Sequence, residues 1–293
     1  MEDSRLVVAV ARNRKVRILI ANTTKLVEDA RLTHDLYPTS NAALGRVLSV
    51  AVLMGSMQKS ADEEVLVQIN GGGPIGTIMA EAKGNGEVKG FVGDNQIYMT
   101  YNQSHKLAVG LAVGTNGYLK VSKNLGLKNS FTSQVALQTG EIGDDFAYYF
   151  AVSEQVPSLV SVGVLVNPDY STAAAGSLII QLLPNHSEED IEYVEAIQKR
   201  LKPISTLISE GNALEDIIND LFEDAEILDT RSIYYKCDCN KERFMEGLLT
   251  LPKDDLREVL QDHEIEVKCE FCNKKYKISH EELEKFIRDH VEN

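Results

Sequence analysis

All four cysteines of the chain, Cys237, Cys239, Cys269 and Cys272, fall near its C-terminal end, after a long stretch with none. Their order is C-x-C, then 29 residues, then C-x-x-C. Thiolate sulfur is a zinc ligand, and two close pairs meeting in space set four sulfurs around one point, the closed tetrahedral arrangement of a structural zinc site. The same sulfurs can instead form two disulfides. His263 and His280 lie nearby, but four thiolates already complete a closed site. No other chemistry stands out. His34, His105 and His186 are isolated in sequence, and their default roles are packing and surface ones. Gly71-Gly72-Gly73-Pro74 lacks the Lys-Ser/Thr of a phosphate loop and the G-x-G-x-x-G spacing. A thiol–disulfide enzyme would place its C-x-x-C at a helix N-terminus early in a βαβ unit, and this chain does not. The expectation is a protein that is not an enzyme.

Composition narrows the partners. A chain of 293 residues with 43% hydrophobic and 25% charged residues has the profile of an ordinary globular protein. Its net charge of -14 argues against nucleic acid, because phosphate affinity needs clustered Lys and Arg. A zinc-ribbon nucleic-acid-binding regulator is the alternative reading, and Lys274, Lys275 and Lys277 are its only attraction; a solvated hairpin explains them more simply. The first residues carry acids before any apolar run, and Arg12, Asn13, Arg14 and Lys15 interrupt that run, unlike a signal peptide. No apolar stretch approaches the roughly 18 residues of a membrane span. A cytoplasmic protein is expected, where thiols stay reduced and a four-cysteine cluster reads as metal-binding or redox-sensing.

The elements that must position the cysteines lie in the third of three segments. The fold class expected is α+β: a strand-rich N-terminal α/β domain, a helical linker and a small C-terminal zinc-binding domain. Residues 1–183 contain apolar runs at Leu6–Val10, Val16–Ile20, Val65–Ile69, Ile75–Ala82, Val88–Val92, Tyr118–Val121, Phe131–Leu137, Leu159–Val166 and Leu178–Leu183 that read as strands. Thr23 or Thr24 caps a helix towards Leu36. Ser40 or Asn41 begins a second helix, apolar on most faces and therefore buried. Asp144 is the expected N-cap of a third, ending near Pro157. Residues 184–230 are acidic, with thirteen Asp and Glu between Asn185 and Thr230 against Lys199, Arg200 and Lys202. Ser187 with Asp190 forms a capping box. Pro203 and Gly211 break the segment into short helices with apolar stripes. Such helices are marginal alone and need docking, so this reads as a weakly held linker lying on another surface, with an ordinary helical extension of the main domain as the plain alternative.

Residues 231–293 hold the cysteines. Pro252, Asp254 and Asp255 open a helix containing Leu256, Val259 and Leu260. Glu264–Lys268 and Lys275–Ile278 alternate as strands, which puts Cys269-Glu270-Phe271-Cys272 in the turn of a hairpin. Ser279 and Glu282 make a second capping box. A module of about 60 residues is small for a free-standing core. A structural zinc supplies on the order of 10–16 kcal/mol in zinc peptides. Oxidation would remove the ligands, release the metal and with it the module's main stabilising contribution. A permanently structural zinc site is the plain alternative, and spacing alone does not separate the two.

With these residues in view, the chain resembles the redox-regulated bacterial chaperones of the heat shock protein 33 family. The likeness extends beyond the cysteines to Thr33-His34-Asp35-Leu36-Tyr37-Pro38-Thr39-Ser40-Asn41-Ala42-Ala43-Leu44-Gly45-Arg46, to Gly73-Pro74-Ile75-Gly76 followed by Gly86-Glu87-Val88-Lys89-Gly90, and to Ser153-Glu154-Gln155-Val156-Pro157-Ser158, Gly163-Val164-Leu165-Val166 and Ile179-Ile180-Gln181-Leu182-Leu183-Pro184. The resemblance implies an ATP-independent holdase, inactive when reduced and bound to one zinc ion through Cys237, Cys239, Cys269 and Cys272. Oxidative stress, usually with heat, activates it: Cys237 pairs with Cys239, Cys269 with Cys272, zinc leaves and the linker unfolds. The active form is a homodimer whose N-terminal domain binds unfolded or oxidatively damaged clients. Pro203 and the heavy acid load of the linker depart from the family's composition and bear on the threshold of activation.

Overall fold

The computed structural model describes residues 3–104, 106–126, 130–252, 255–256, 259 and 264–291. They form two compact units, Met1–Lys236 and Cys237–Asn293. His105, Asp254, Leu260 and His263 lie outside the described residues.

Two sheets organise the first unit. One is five-stranded, built from β1 (Arg5–Ala11), β2 (Val16–Asn22), β8 (Ser158–Val166), β9 (Thr172–Leu182) and β10 (Glu226–Ser232) in the order β10-β1-β2-β9-β8. The other is six-stranded, with β3 (Glu64–Asn70), β4 (Ile78–Lys83), β5 (Glu87–Val92), β6 (Tyr118–Asn124), β7 (Phe131–Ala136) and β11 (Tyr234–Tyr235) in the order β11-β5-β4-β3-β6-β7. All neighbours pair antiparallel except β11 with β5. The mixture of sheets and helices agrees with the α+β expectation.

Helix α2 (Pro38–Ser56) packs against strands of both sheets, and every one of its residues except Arg46 is buried. That is what a helix apolar on most faces requires. It begins at Pro38, earlier than Ser40 or Asn41, because proline lacks the N–H that a first turn leaves unbonded. The Thr39 and Ser40 hydroxyls, freed from capping, donate to the carbonyls of Met99 (2.9 Å) and Asp94 (2.8 Å). Helix α1 (Thr24–His34) has Thr23 at its N-cap position. In α4 (Gly143–Val152) the anchoring carboxylate is Asp145, not Asp144: it accepts the N–H groups of Ile142, Gln138 and Thr139. A short helix, α3 (Val109–Val113), sits against the Gly71–Pro74 turn. A Cβ on Gly73 would lie 2.3 Å from the Ala112 carbonyl, so these glycines serve close backbone approach and not phosphate binding.

The five-stranded sheet is covered on both faces, which explains the unbroken apolar runs of β1, β2 and β9. Leu6, Leu19, Ala21 and Ile179 point into the main core with α2. Val7, Ala9, Ile18, Ile20, Leu178 and Ile180 point the other way, onto the acidic segment. That segment forms α5 (Glu188–Arg200), α6 (Ile204–Ser209) and α7 (Leu214–Leu221), broken as expected at Pro203 and Gly211. Val194, Ile197, Ile204, Leu214, Ile217, Ile218 and Phe222 complete this second core. The Ser187–Asp190 capping box is present: the Ser187 N–H and hydroxyl both donate to Asp190 Oδ2, at 2.8 and 2.7 Å. The segment then ends in a strand, β10, which its helical pattern did not announce.

The second unit holds α8 (Lys241–Leu249), a hairpin of β12 (Glu264–Lys268) and β13 (Lys275–Ser279), and α9 (His280–Val291). Asp255, Leu256 and Val259 are helical. Helix α8 was not expected. Asn240 caps it, accepting the Arg243 N–H at 2.9 Å. The Ser279–Glu282 box is formed, with the Ser279 N–H donating to Glu282 at 2.9 Å.

Candidate metal centre

The hairpin builds half of the site. Cys269 and Cys272 occupy its turn, closed by the Cys269 N–H donating to the Lys274 carbonyl (2.9 Å) and the Asn273 N–H donating to the Cys269 carbonyl (2.8 Å). Asn273 takes a left-handed conformation, φ 60°, which asparagine tolerates and which reverses the chain. Cys237 and Cys239 supply the other half, just ahead of the α8 cap.

The four sulfurs converge. Cys237 Sγ lies 3.7 Å from Cys269 Sγ, and Cys239 Sγ lies 3.4 Å from Cys272 Sγ. All four are within 4.8 Å of one another, and all are free thiols. A tetrahedron with Zn–S bonds of about 2.3 Å has edges of about 3.8 Å, so the cluster has the size and the donor set for zinc. Among the described residues it is the one such cluster of Cys, His, Asp and Glu. His280 is not part of it; it lies 3.1 Å from Glu284 on its own helix.

Electrostatics favour a cation here. Burial pushes the Cys237 thiol up to about 11, and it also raises Cys269 and Cys272. Burial acts in the same sense on Cys239, but hydrogen bonds from Tyr276 and from neighbouring thiols outweigh it and lower that group. Four thiolates at this spacing repel one another, and a divalent ion removes that repulsion. Tyr276 is the functional residue that sequence reading missed. Its hydroxyl lies 3.3 Å from Cys239 Sγ and donates to the Cys239 carbonyl at 2.7 Å. The signal was present: in Lys275-Tyr276-Lys277-Ile278, residues 276 and 278 share a strand face, and Ile278 is fully buried.

Among the described residues, the buried hydrophobic cluster of this unit is Met245, Ile278 and Leu283, with Phe244, Val267 and Phe286 among the partly buried side chains around them. An exposed ion pair between Lys241 and Glu282 joins the starts of α8 and α9. The lysines that suggested nucleic acid are engaged: Lys275 pairs with Glu266 at 2.7 Å and Lys274 sits over the Tyr276 ring. Of the isolated histidines, the two described ones, His34 and His186, make structural contacts. His34 is hydrogen-bonded to Tyr235 (2.8 Å), and His186 Nδ1 lies 2.9 Å from the Leu183 carbonyl.

Comparison with known proteins agrees with this geometry. A family model described as Hsp33 protein matches residues 4–279. The 33 kDa chaperonin of Bacillus licheniformis is 44% identical over 288 residues, covering 98% of this chain and 99% of its own. That of Bacillus subtilis is 45% identical over 281 residues, covering 95% and 96%. A crystal structure of the 33 kDa chaperonin of Thermotoga maritima superposes with a TM-score of 0.89 at 35% identity, over 100% of both chains.

Proposed function

This chain belongs to the Hsp33 family, and from that premise we propose how its own residues work the switch. It is a redox-regulated chaperone, a non-enzymatic holdase with a four-cysteine zinc-type site. It holds client proteins. Cys237, Cys239, Cys269 and Cys272 are the zinc ligands in this reading. Bound zinc keeps the four sulfurs as thiolates and ties the C-x-C segment to the hairpin. Peroxide then takes two electrons from each pair of thiolates and is reduced to water, leaving Cys237–Cys239 and Cys269–Cys272 disulfides with no lone thiolate to hold the metal. The pairing rests on the family likeness. Crosswise pairs are also close, Cys237 with Cys269 at 3.7 Å and Cys239 with Cys272 at 3.4 Å, so peptide mapping of the oxidised chain discriminates directly.

The observation that carries the reading is the conjunction of four sulfurs within 4.8 Å and, among the described residues, a core of few buried side chains. A unit with so little apolar burial depends on its metal. Losing it unfolds the chain from Cys237 onward, next to the segment 184–230 that acts as the linker. Ile233, Tyr235 and Lys236 still anchor that junction: Ile233 is buried in the main core, the Tyr235 hydroxyl donates to the Gly90 carbonyl, and Lys236 pairs with Glu87. Zinc release therefore weakens the linker without detaching it, which supports a requirement for heat as a second input. Residues 1–183 then carry client binding and dimerisation, and 231–293 the redox switch. The place of action is the cytoplasm, where the thiols rest reduced; no described helix is long and apolar enough to cross a membrane.

The test is one sample followed through the cycle. Reduced protein should carry one zinc per chain and leave a thermally unfolding client to aggregate. After peroxide at raised temperature it should have released that zinc, sediment as a dimer and suppress aggregation. Suppression that is equal before and after oxidation would remove the redox switch from the account.

A further inference from the structure

The strand that closes the linker is held by its backbone. β10 pairs with β1 from Arg5↔Ser232 to Val10↔Glu226, but the register slips between Val8 and Ala9, leaving Leu228 as an extra residue opposite neither. Its apolar side chains bury little: Ile227 is 43% and Leu228 46% exposed. Glu226, Asp229 and Arg231 give this outer strand the charges that keep sheet edges from pairing with other chains. β1 behind it is the opposite case. Leu6-Val7-Val8-Ala9-Val10-Ala11 has no charge and no proline, and β-branched residues make up half of it. Such a run is suited to pairing with another extended chain. Val7, Ala9 and Ala11 also belong to the apolar face that the linker helices cover. One continuous departure, residues 188–232, would bare an edge and the adjoining face of the same strand. The far edge of the sheet, β8, carries no linker strand, so the same departure uncovers no ladder there.

We propose that β1 is a client-receiving edge. In the zinc-bound state β10 occupies it; once the linker leaves, an extended segment of an unfolding polypeptide pairs with Arg5–Ala11 in its place and lays alternate apolar side chains beside Val7, Ala9 and Ala11. β10 itself shows the kind of occupant. It is an extended heptapeptide paired to β1 along its main chain; most of its side chains face solvent, and the Arg231 guanidinium adds a bond to the Gly84 carbonyl at 2.7 Å. An edge that binds in this way accepts many sequences, because the ladder supplies affinity and only alternate side chains meet the protein. The inference rests on the oxidation-released linker described above.

Amide hydrogen exchange on the full chain tests it, with reduced and carboxymethylated α-lactalbumin as a permanently unfolded probe. The β1 amides that face β10 should be protected in the reduced, zinc-bound protein. They should exchange freely after peroxide and heat, and be protected again when the probe is added. A variant isolates the edge: Ile227→Pro sets a ring without an N–H in mid-strand at an exposed position, and should speed β1 exchange in the zinc-bound form by about tenfold. β1 amides that stay open while the probe is held overturn the proposal and leave the holdase intact. Protection that never lapses on oxidation overturns it too. Protection that returns without probe and grows with protein concentration assigns the edge to a second copy of the chain, and also overturns it. If the oxidised protein holds no client at all, the functional reading fails, and this proposal with it.

Discussion

Tyr276 shows how one side chain outside the ligand set bears on the metal centre. Its hydroxyl addresses Cys239 twice, at the sulfur and at the carbonyl, and its ring packs against Phe244 at 5.3 Å. Groups that orient a ligand in this way typically contribute 10- to 100-fold in metal affinity. Tyr276→Phe keeps the ring and removes the hydroxyl. The expected outcome is a folded protein that still binds one zinc but releases it to a competing chelator with about tenfold lower affinity. An unchanged affinity would show the hydroxyl to be a backbone clip and nothing more.

Among the elements, α5 carries the most concentrated tie between linker and core. Asp190 sits at its first turn with a side chain only 3% exposed, and receives Arg12 Nε at 2.9 Å and Lys15 Nζ at 3.4 Å from the β1–β2 turn. That turn holds Arg12, Asn13 and Arg14 at positive φ and places the Arg12 guanidinium 4.8 Å from the centre of the Tyr193 ring. The Ser187 backbone and hydroxyl, with Arg12 and Lys15, hold the Asp190 carboxyl well below the usual carboxylate range. Its folded value lies below its unfolded one, so the contribution is complete above the ordinary Asp value of about 4 and is lost as pH falls further. Linker docking should be indifferent to pH between about 6 and 8 and weaken below about 4. Asp190→Asn should cost about 2 kcal/mol of docking and lower the temperature at which the oxidised linker becomes protease-sensitive. A sharper probe is Gly163 on β8. A Cβ there would meet Ser205 Oγ of α6 at 2.4 Å, with the Ser205 side chain and amide the nearest neighbours. Gly163→Ala should therefore push α6 away and advance linker release while the melting of the sheet core stays near wild type. Equal loss in both would mean that the strand itself is strained.

At the scale of the whole molecule, the two units differ in what stabilises them. The first has two apolar cores on either side of one sheet; the second, among the described residues, has a handful of buried side chains beside four sulfurs. Removing zinc with a chelator under reducing conditions should abolish amide protection across Cys237–Asn293 and leave the strands of the first unit protected. Such a chain, metal-free yet reduced, should hold clients only when heated, because Asp190, the anchor at Ile233 and the second apolar core still retain the linker. Client holding at ambient temperature after chelation alone would place all the restraint in the zinc unit.

What the sequence determined by itself is local. Four cysteines in two close pairs, a hairpin around C-x-x-C, two Ser–acid capping boxes and the breaks at Pro203 and Gly211 are set within a few residues of one another, and short-range chemistry specifies them. The family likeness supplied the redox role because it spans the chain. Tertiary structure decided the rest, since each of these contacts joins residues far apart: β10 completing a sheet begun at Arg5, Tyr276 reaching Cys239, Asp190 meeting Arg12. The apolar run of β1 was legible as a strand, but not that one of its faces and one edge are covered by the acidic segment while the other face enters the main core. A one-dimensional pattern records which side chains avoid water, and only packing selects the surface that shelters them.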